Sequence, residues 1–183
     1  MPTVFTHAVT AVATGKLFYP RQMSRRFWLA SVFCAVAPDL DVIGFQFGVH
    51  YNALLGHRGL THSLVFALAL SLIVVLTLFR RLPQTDTIRS QWRVRLIFVA
   101  YFFVVTASHG VLDAMTNGGL GVAFFAPFDA TRYFFPWQPI QVSPIGATHF
   151  FSHYGLAVML SELQWLWLPS LGLMLIAKLL RMR

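Results

Sequence analysis

Apolar residues fall into five stretches separated by polar or basic segments. Ser63–Phe79 is an unbroken apolar run that stops at Arg80 and Arg81. Leu96–Ala107 is a second run, which continues through His109 and Asp113 to about Met115. Leu163–Leu180 is a third, with Trp165 and Trp167 near its start and Lys178 and Arg181 at its end. Phe27–Phe47 is apolar but interrupted by Pro38-Asp39-Leu40-Asp41, and proline ends or kinks a helix. Thr3–Tyr19 is short and contains His7 and Lys16. A helix that crosses a bilayer needs about 20 mostly apolar residues, with a lower limit near 17. The pattern therefore predicts an all-α integral membrane bundle of about five spans, one domain over residues 1–183. A competing arrangement keeps the first segment at the interface, or makes Phe27–Phe47 re-entrant. No basic segment precedes the first apolar stretch, so it does not read as a cleaved signal peptide. Gly and Pro gather in Thr116–Gly146, which reads as an extended loop.

Composition supports the membrane reading. Hydrophobic residues make up 57% of the chain and charged residues only 11%, against roughly 25% charged in soluble domains. The net charge of +8 would point to nucleic acid in a soluble protein. Here the positions of the charges explain it. Arg21, Arg25 and Arg26 fall between the first two spans. Arg80, Arg81, Arg89, Arg93 and Arg95 fall between the third and fourth, and Lys178, Arg181 and Arg183 follow the fifth. Five alternating spans put all of them on one side, which is the cytoplasmic side by the positive-inside rule. The N-terminus is then outside, and no nucleic acid is expected. The single cysteine, Cys34, excludes an internal disulfide and a Cys-rich zinc module.

The same topology brings His7, Asp39, Asp41, His57, His62, His109, Asp113 and Glu162 towards the outer face. His109-x3-Asp113 puts an imidazole and a carboxylate on one helix face, where both can meet one cation. Asp39 and Asp41 are close enough to resist ionising together unless a cation neutralises them. His57-Arg58-Gly59-Leu60-Thr61-His62-Ser63 flanks a glycine turn with two histidines, and Thr61 or Ser63 can cap the next helix. Taken alone, each group also reads as satisfied polar residues in a bundle or a loop. Ionisable groups at membrane depth are costly and usually functional, which favours the metal reading. Imidazole with carboxylate suits zinc, manganese or iron. Arg58 and Arg132 are the two outer basic residues, and a guanidinium suits phosphate. Glu162 reads as a ligand or as an orienter of a ligand histidine. His149-x3-His153 also has ligand spacing, but it lies in an aromatic, interfacial stretch. The aromatics from Phe124 to Trp137 read as an interface belt. No nucleophilic serine or cysteine motif occurs, so an activated water is the natural nucleophile.

These segments together resemble the YdjM-type inner-membrane, metal-dependent hydrolases of bacteria, some of them LexA-regulated. The resemblance rests on the Asp pair after proline, the His-Arg-Gly-x-Thr-His-Ser block, and His109-x3-Asp113-x2-Thr116 followed by Gly118-Gly119 and Pro127-Phe128. It implies kinship with the zinc-dependent phospholipase C and single-strand nuclease superfamily, all-helical enzymes that cleave phosphoesters. The implied ligands are His7, Asp39 or Asp41, His57, His62, His109 and Asp113; Glu162 follows only from helix position and residue type. Those soluble enzymes use an N-terminal amine as a ligand, of which Met1-Pro2 gives no sign. The expectation is a membrane-bound hydrolase with two or three zinc ions, or manganese or iron instead. Its site would face the periplasm or outside of the inner, cytoplasmic membrane. Asp39 and Asp41 would be catalytic, one of them bridging metals and serving as general base. Arg58 and Arg132 would hold the phosphate of a phospholipid or lipid-linked phosphoester. The alternatives are a non-catalytic metal-binding transporter or sensor, and a metal-dependent carboxylic ester or amide hydrolase.

Overall fold

The structure is a computed structural model and describes residues 1–18, 23–80, 88–144 and 151–181. Five helices form it, with no strand among the described residues beyond two isolated bridges. Helix α1 is Val4–Phe18. Helix α2 starts at Arg25, where the Ser24 side chain caps the backbone N–H of Phe27. At Ala37 it narrows into a 3-10 helix that runs to Phe47. The α-helix ends at Val36, as the proline predicted, and Pro38 sits in the first turn of the 3-10 segment that carries the helical stretch Arg25–Phe47 on over 23 residues. Helix α3 is Leu64–Leu78, capped by Ser63 as its sequence suggested, with the Phe66 N–H donating to Ser63 Oγ at 3.1 Å.

Helix α4 is Ile88–Ala114, and helix α5 is His153–Arg181 with a π-helical turn at Leu163–Trp167. Both begin earlier than their apolar runs. Arg93 and Arg95 therefore ride on α4 rather than in a connection, and Glu162 lies within α5 rather than at its start. The hydropathy pattern marks where a helix is greasy, not where its backbone hydrogen bonding begins. Among the described residues three helices are long and apolar enough to cross a membrane: Arg25–Phe47, Gln91–Ala114 and His153–Arg181. Helices α1 and α3 have 15 residues each, about 22 Å at 1.5 Å per residue, shorter than a hydrocarbon core of about 30 Å.

Helix α4 is the hub and packs on α1, α2 and α3, while α5 lies along α1. The core is aromatic. Phe27 of α2 stacks on Tyr101 of α4 with centroids 4.8 Å apart, and Phe79 meets Phe98 at 5.2 Å. The Tyr101 hydroxyl donates to Ser31 Oγ at 2.9 Å, so its polar tip is satisfied inside the bundle. Outside the core the surface stays apolar. Leu156, Leu160, Leu171, Leu175, Ile176 and Leu179 of α5 are all exposed. Water would penalise that surface at roughly 25 cal/mol per Å², and acyl chains would not. Helices α1 and α3 begin, and α2 and α4 end, at one end of the bundle. That end carries the ionisable cluster.

Candidate metal centre

Four segments deliver the cluster. The 3-10 segment of α2 supplies Asp39 and Asp41. The loop before α3 supplies His57, Arg58 and His62, with His62 closing a short 3-10 turn, Leu60–His62. The last two turns of α4 supply His109 and Asp113, and the first turn of α1 supplies His7. All eight of these residues are buried. The loop can press against α4 because residue 110 is glycine: a Cβ there would lie 2.9 Å from the His62 carbonyl oxygen.

Asp39, His62, His109 and Asp113 offer ligand atoms that all lie within 4.8 Å of one another. His109 Nε2 is 3.3 Å from Asp39 Oδ1, and His62 Nε2 is 3.4 Å from Asp113 Oδ2. Donors arranged tetrahedrally about zinc at 2.0–2.1 Å are separated by about 3.4 Å, so these spacings suit ligands of one ion. Asp41, His57 and His62 form a second such group that shares His62.

The hydrogen bonds state which atoms are available. His109 Nδ1 lies 2.7 Å from the Ala35 carbonyl, which only accepts, so Nδ1 carries the proton and the Nε2 lone pair is free. His57 Nδ1 donates to Asp41 Oδ1 at 2.7 Å, and His57 Nε2 has no partner. His62 Nδ1 lies 3.2 Å from Asp41 Oδ2, and its Nε2 faces His109 Nε2 at 3.1 Å. Three imidazoles are thus held at Nδ1 by oxygen acceptors, which leaves Nε2 of His62 and His109 facing the cluster and Nε2 of His57 without a partner. This is how ligand histidines are oriented at metal sites. Two facing Nε2 lone pairs repel unless a cation or a proton lies between them. His62, in the loop outside the spans, is where such a proton would go. Burial lowers its basicity, but the surrounding carboxylates of Asp113, Asp39 and Asp41 raise it further, to about 10.

The carboxylates divide in the same way. Asp41 is saturated: beyond His57, its Oδ2 accepts from Thr61 Oγ1 at 2.6 Å and from the Arg58 N–H at 3.3 Å. Asp39 and Asp113 accept no hydrogen bond of good geometry at any of their four oxygens. A buried carboxylate left that way costs several kcal/mol unless a cation compensates it. Arg58 supplies one charge, with Nε 3.1 Å from Asp113 Oδ2. The rest of the deficit lies where the histidine nitrogens converge. The donor set therefore fits a divalent metal.

Other sequence-predicted residues take different places. His7 stacks on His109 with centroids 3.7 Å apart, and its Nε2 lies 3.6 Å from Asp113 Oδ1; both of its ring nitrogens lack a hydrogen bond. Glu162 does not join the two ligand groups. Its carboxylate accepts from the Thr3 N–H at 2.5 Å, from Thr3 Oγ1 at 2.6 Å and from Thr6 Oγ1 at 2.6 Å, and so ties α5 to the start of α1. The resemblance implied phosphate contact for Arg58 and Arg132. The structure turns both inward. Arg58 is fully buried, donates to the Gly118 carbonyl at 2.8 Å and to Thr116 Oγ1 at 3.0 Å, and holds a left-handed backbone with φ of 63°. A non-glycine residue there stores strain, which such sites tolerate when neighbours over-determine the geometry. Arg132 donates to the carbonyls of His57, Tyr51 and Ala53, clamping the loop that carries His57. His153 is exposed at the start of α5, and His149 lies outside the described residues.

Sequence reasoning missed Thr3, Thr6 and the Ala35 carbonyl. Two threonines at the start of an apolar segment carry no distinctive signal, and a backbone acceptor carries none. It also saw no sign of the N-terminal amine near the centre. The structure buries the Met1 amino group within electrostatic reach of Asp113, Asp39 and Glu162, and burial pushes its pKa down to about 6.

Helices of this length and apolarity, closed at one end over buried histidines and carboxylates, define an integral membrane protein with a candidate metal centre. The chain belongs to the family described as YdjM inner membrane protein, whose sequence profile matches residues 1–182. It is 40% identical over 174 residues to inner membrane protein YbcI of Escherichia coli (strain K12), covering 95% of each chain. No solved structure matches it. The family and the three spanning helices together place it in the inner membrane.

Proposed function

We propose that this protein is a membrane-bound metal-dependent hydrolase acting on a phosphoester of a phospholipid or lipid-linked substrate. The observation that carries the reading is the pairing of pinned histidines with buried carboxylates that accept no hydrogen bond. His57, His62 and His109 are each fixed at Nδ1, while Asp39 and Asp113 bring four oxygens without a hydrogen bond to the same place. Asp39, His62, His109 and Asp113 would hold one ion, Asp41 would orient His57 and His62 from behind, and His57 Nε2, without a partner, is the further donor open to a second ion. A zinc ion held there would supply an activated water and polarise a phosphoryl oxygen.

The chain's own residues supply the rest. Asp41 orients His57 and His62, and the Ala35 carbonyl orients His109. Arg58, held by Thr116 and Gly118, fixes Asp113 and offsets its charge. Asp39, with both oxygens free, is the carboxylate available to take a proton, and Asp41, saturated with donors, is not. The loop after α4 covers the cluster through the Ala123 N–H, which donates to the Arg58 carbonyl at 3.0 Å, and the Leu64 N–H, which donates to the Phe124 carbonyl at 3.0 Å. It exposes Phe125, Phe128 and Trp137. Aromatics of that kind sit at headgroup level, and this supports a lipid substrate.

The test is metal content by plasma mass spectrometry on protein purified in detergent without chelator, followed by phosphoesterase assays on phospholipids. Stoichiometric metal that is lost in Asp113→Ala, together with metal-dependent turnover of a lipid phosphoester, is the expected result. No stoichiometric metal after reconstitution would overturn the centre. Bound metal without turnover would leave a non-catalytic metal-binding protein.

A further inference from the structure

The opposite end of the bundle carries a second feature, independent of the metal centre. Where α2 begins and α3 ends, a groove of about 580 Å³ is lined by Arg25, Arg26, Leu29, Ala30, Phe33 and Leu78. Its walls are greasy and uncovered: Leu29, Phe33 and Leu78 are all exposed. Its mouth is cationic. Arg26 donates through Nη1 to the Leu78 carbonyl at 3.1 Å, which anchors the guanidinium at the lip and spends one of its five donors. Arg25 has no polar partner among the described residues.

We propose that this groove binds an anionic phospholipid of the surrounding bilayer, with its phosphate between Arg25 and Arg26 and one acyl chain along Leu29, Phe33 and Leu78. Three arguments select that occupant. The combination of paired guanidiniums and an apolar wall matches a molecule with a phosphate at one end and hydrocarbon at the other. The described charges around it have one sign: Lys16, Arg80, Arg93, Arg95, Lys178 and Arg181 share this end, and no described acidic residue does. Basic pockets between spanning helices select acidic headgroups for this reason. A second copy of the chain docked symmetrically would bring the same arginines face to face, and like charges repel.

The test uses the full chain in phosphatidylcholine nanodiscs, titrated with phosphatidylglycerol or phosphatidylethanolamine and read by native mass spectrometry. One phosphatidylglycerol retained per chain is expected, with affinity falling about tenfold or more in the Arg25→Gln/Arg26→Gln pair. Arg25→Gln alone should weaken retention without lowering the melting midpoint, which separates lost binding from a loosened α2–α3 contact. Arg93→Gln/Arg95→Gln removes the same charge outside the groove and should retain the lipid. Equal loss in that control would assign retention to the general field and overturn the groove. Equal retention of phosphatidylethanolamine, displacement by millimolar inorganic phosphate, or a dimer in place of a lipid adduct would overturn it too.

Discussion

Asp39→Asn asks whether the buried carboxylates exist to hold a cation. Asparagine keeps the shape of the side chain and removes its charge. Neither oxygen of Asp39 accepts a hydrogen bond, and the imidazole nitrogens beside it, His109 Nε2 at 3.3 Å and His62 Nε2 at 3.7 Å, are atoms that would share its metal. In metal-free protein the protonated His62, 3.7 Å away, offsets part of that charge, so the melting midpoint should change little. In metal-loaded protein the loss is larger. At a free metal concentration a hundredfold above Kd, binding stabilises the native state by about 2.7 kcal/mol. For a chain of this size that corresponds to roughly 5–11 °C, at 2–4 °C per kcal/mol. Wild type should gain that shift on zinc addition, and Asp39→Asn should gain little of it. The assay is a pair of thermal melts in detergent, with chelator and with buffered zinc, for both proteins. If Asp39 instead serves as a structural ion-pair partner of His62 and His109, the variant melts lower with chelator and zinc moves neither protein. That outcome would refute the reasoning.

Asp41→Asn should weaken metal affinity about 10–100-fold without abolishing it, because Asp41 orients His57 and His62 from behind; competition with a chromophoric chelator measures this, and a loss as complete as that of Asp113→Ala would make Asp41 a ligand. Glu162→Ala should lower the midpoint, at about 1 kcal/mol or more for each of the three hydrogen bonds that Thr3 and Thr6 donate to it, while metal stoichiometry stays unchanged. Loss of metal in that variant would bring Glu162 into the centre. Metal binding should also tighten as pH rises. His62 without metal keeps its proton up to about pH 10, and a metal takes only the neutral imidazole, so binding at pH 6–8 expels that proton. Affinity should then improve about tenfold per pH unit for the one proton, and calorimetry in buffers of different ionisation enthalpy should count at least one proton released.

Much of this protein is legible in one dimension because a bilayer reads one dimension. Apolar runs must be helical to satisfy their backbone groups without water, so five helices and a membrane location follow from hydropathy alone. The clustering of His7, Asp39, Asp41, His57, His62, His109 and Asp113 follows too. Alternating helices return to the same face, and each of these residues lies near a helix end on that face. Tertiary structure decided what hydropathy does not encode. Pro38 could break α2 or turn it into a 3-10 helix, and packing chose the latter. Asp39 and Asp41 are two residues apart and chemically identical, yet neighbours from distant segments saturate one and leave the other bare. The same holds for the arginines. Residue type offers Arg58 and Arg132 to a phosphate, but three-dimensional placement gives one to Asp113 and the other to three carbonyls. Chain order sets which groups reach one end of a bundle. Only the packed geometry sets which lone pairs remain unspent there, because a hydrogen bond depends on fractions of an ångström that no spacing along the chain specifies.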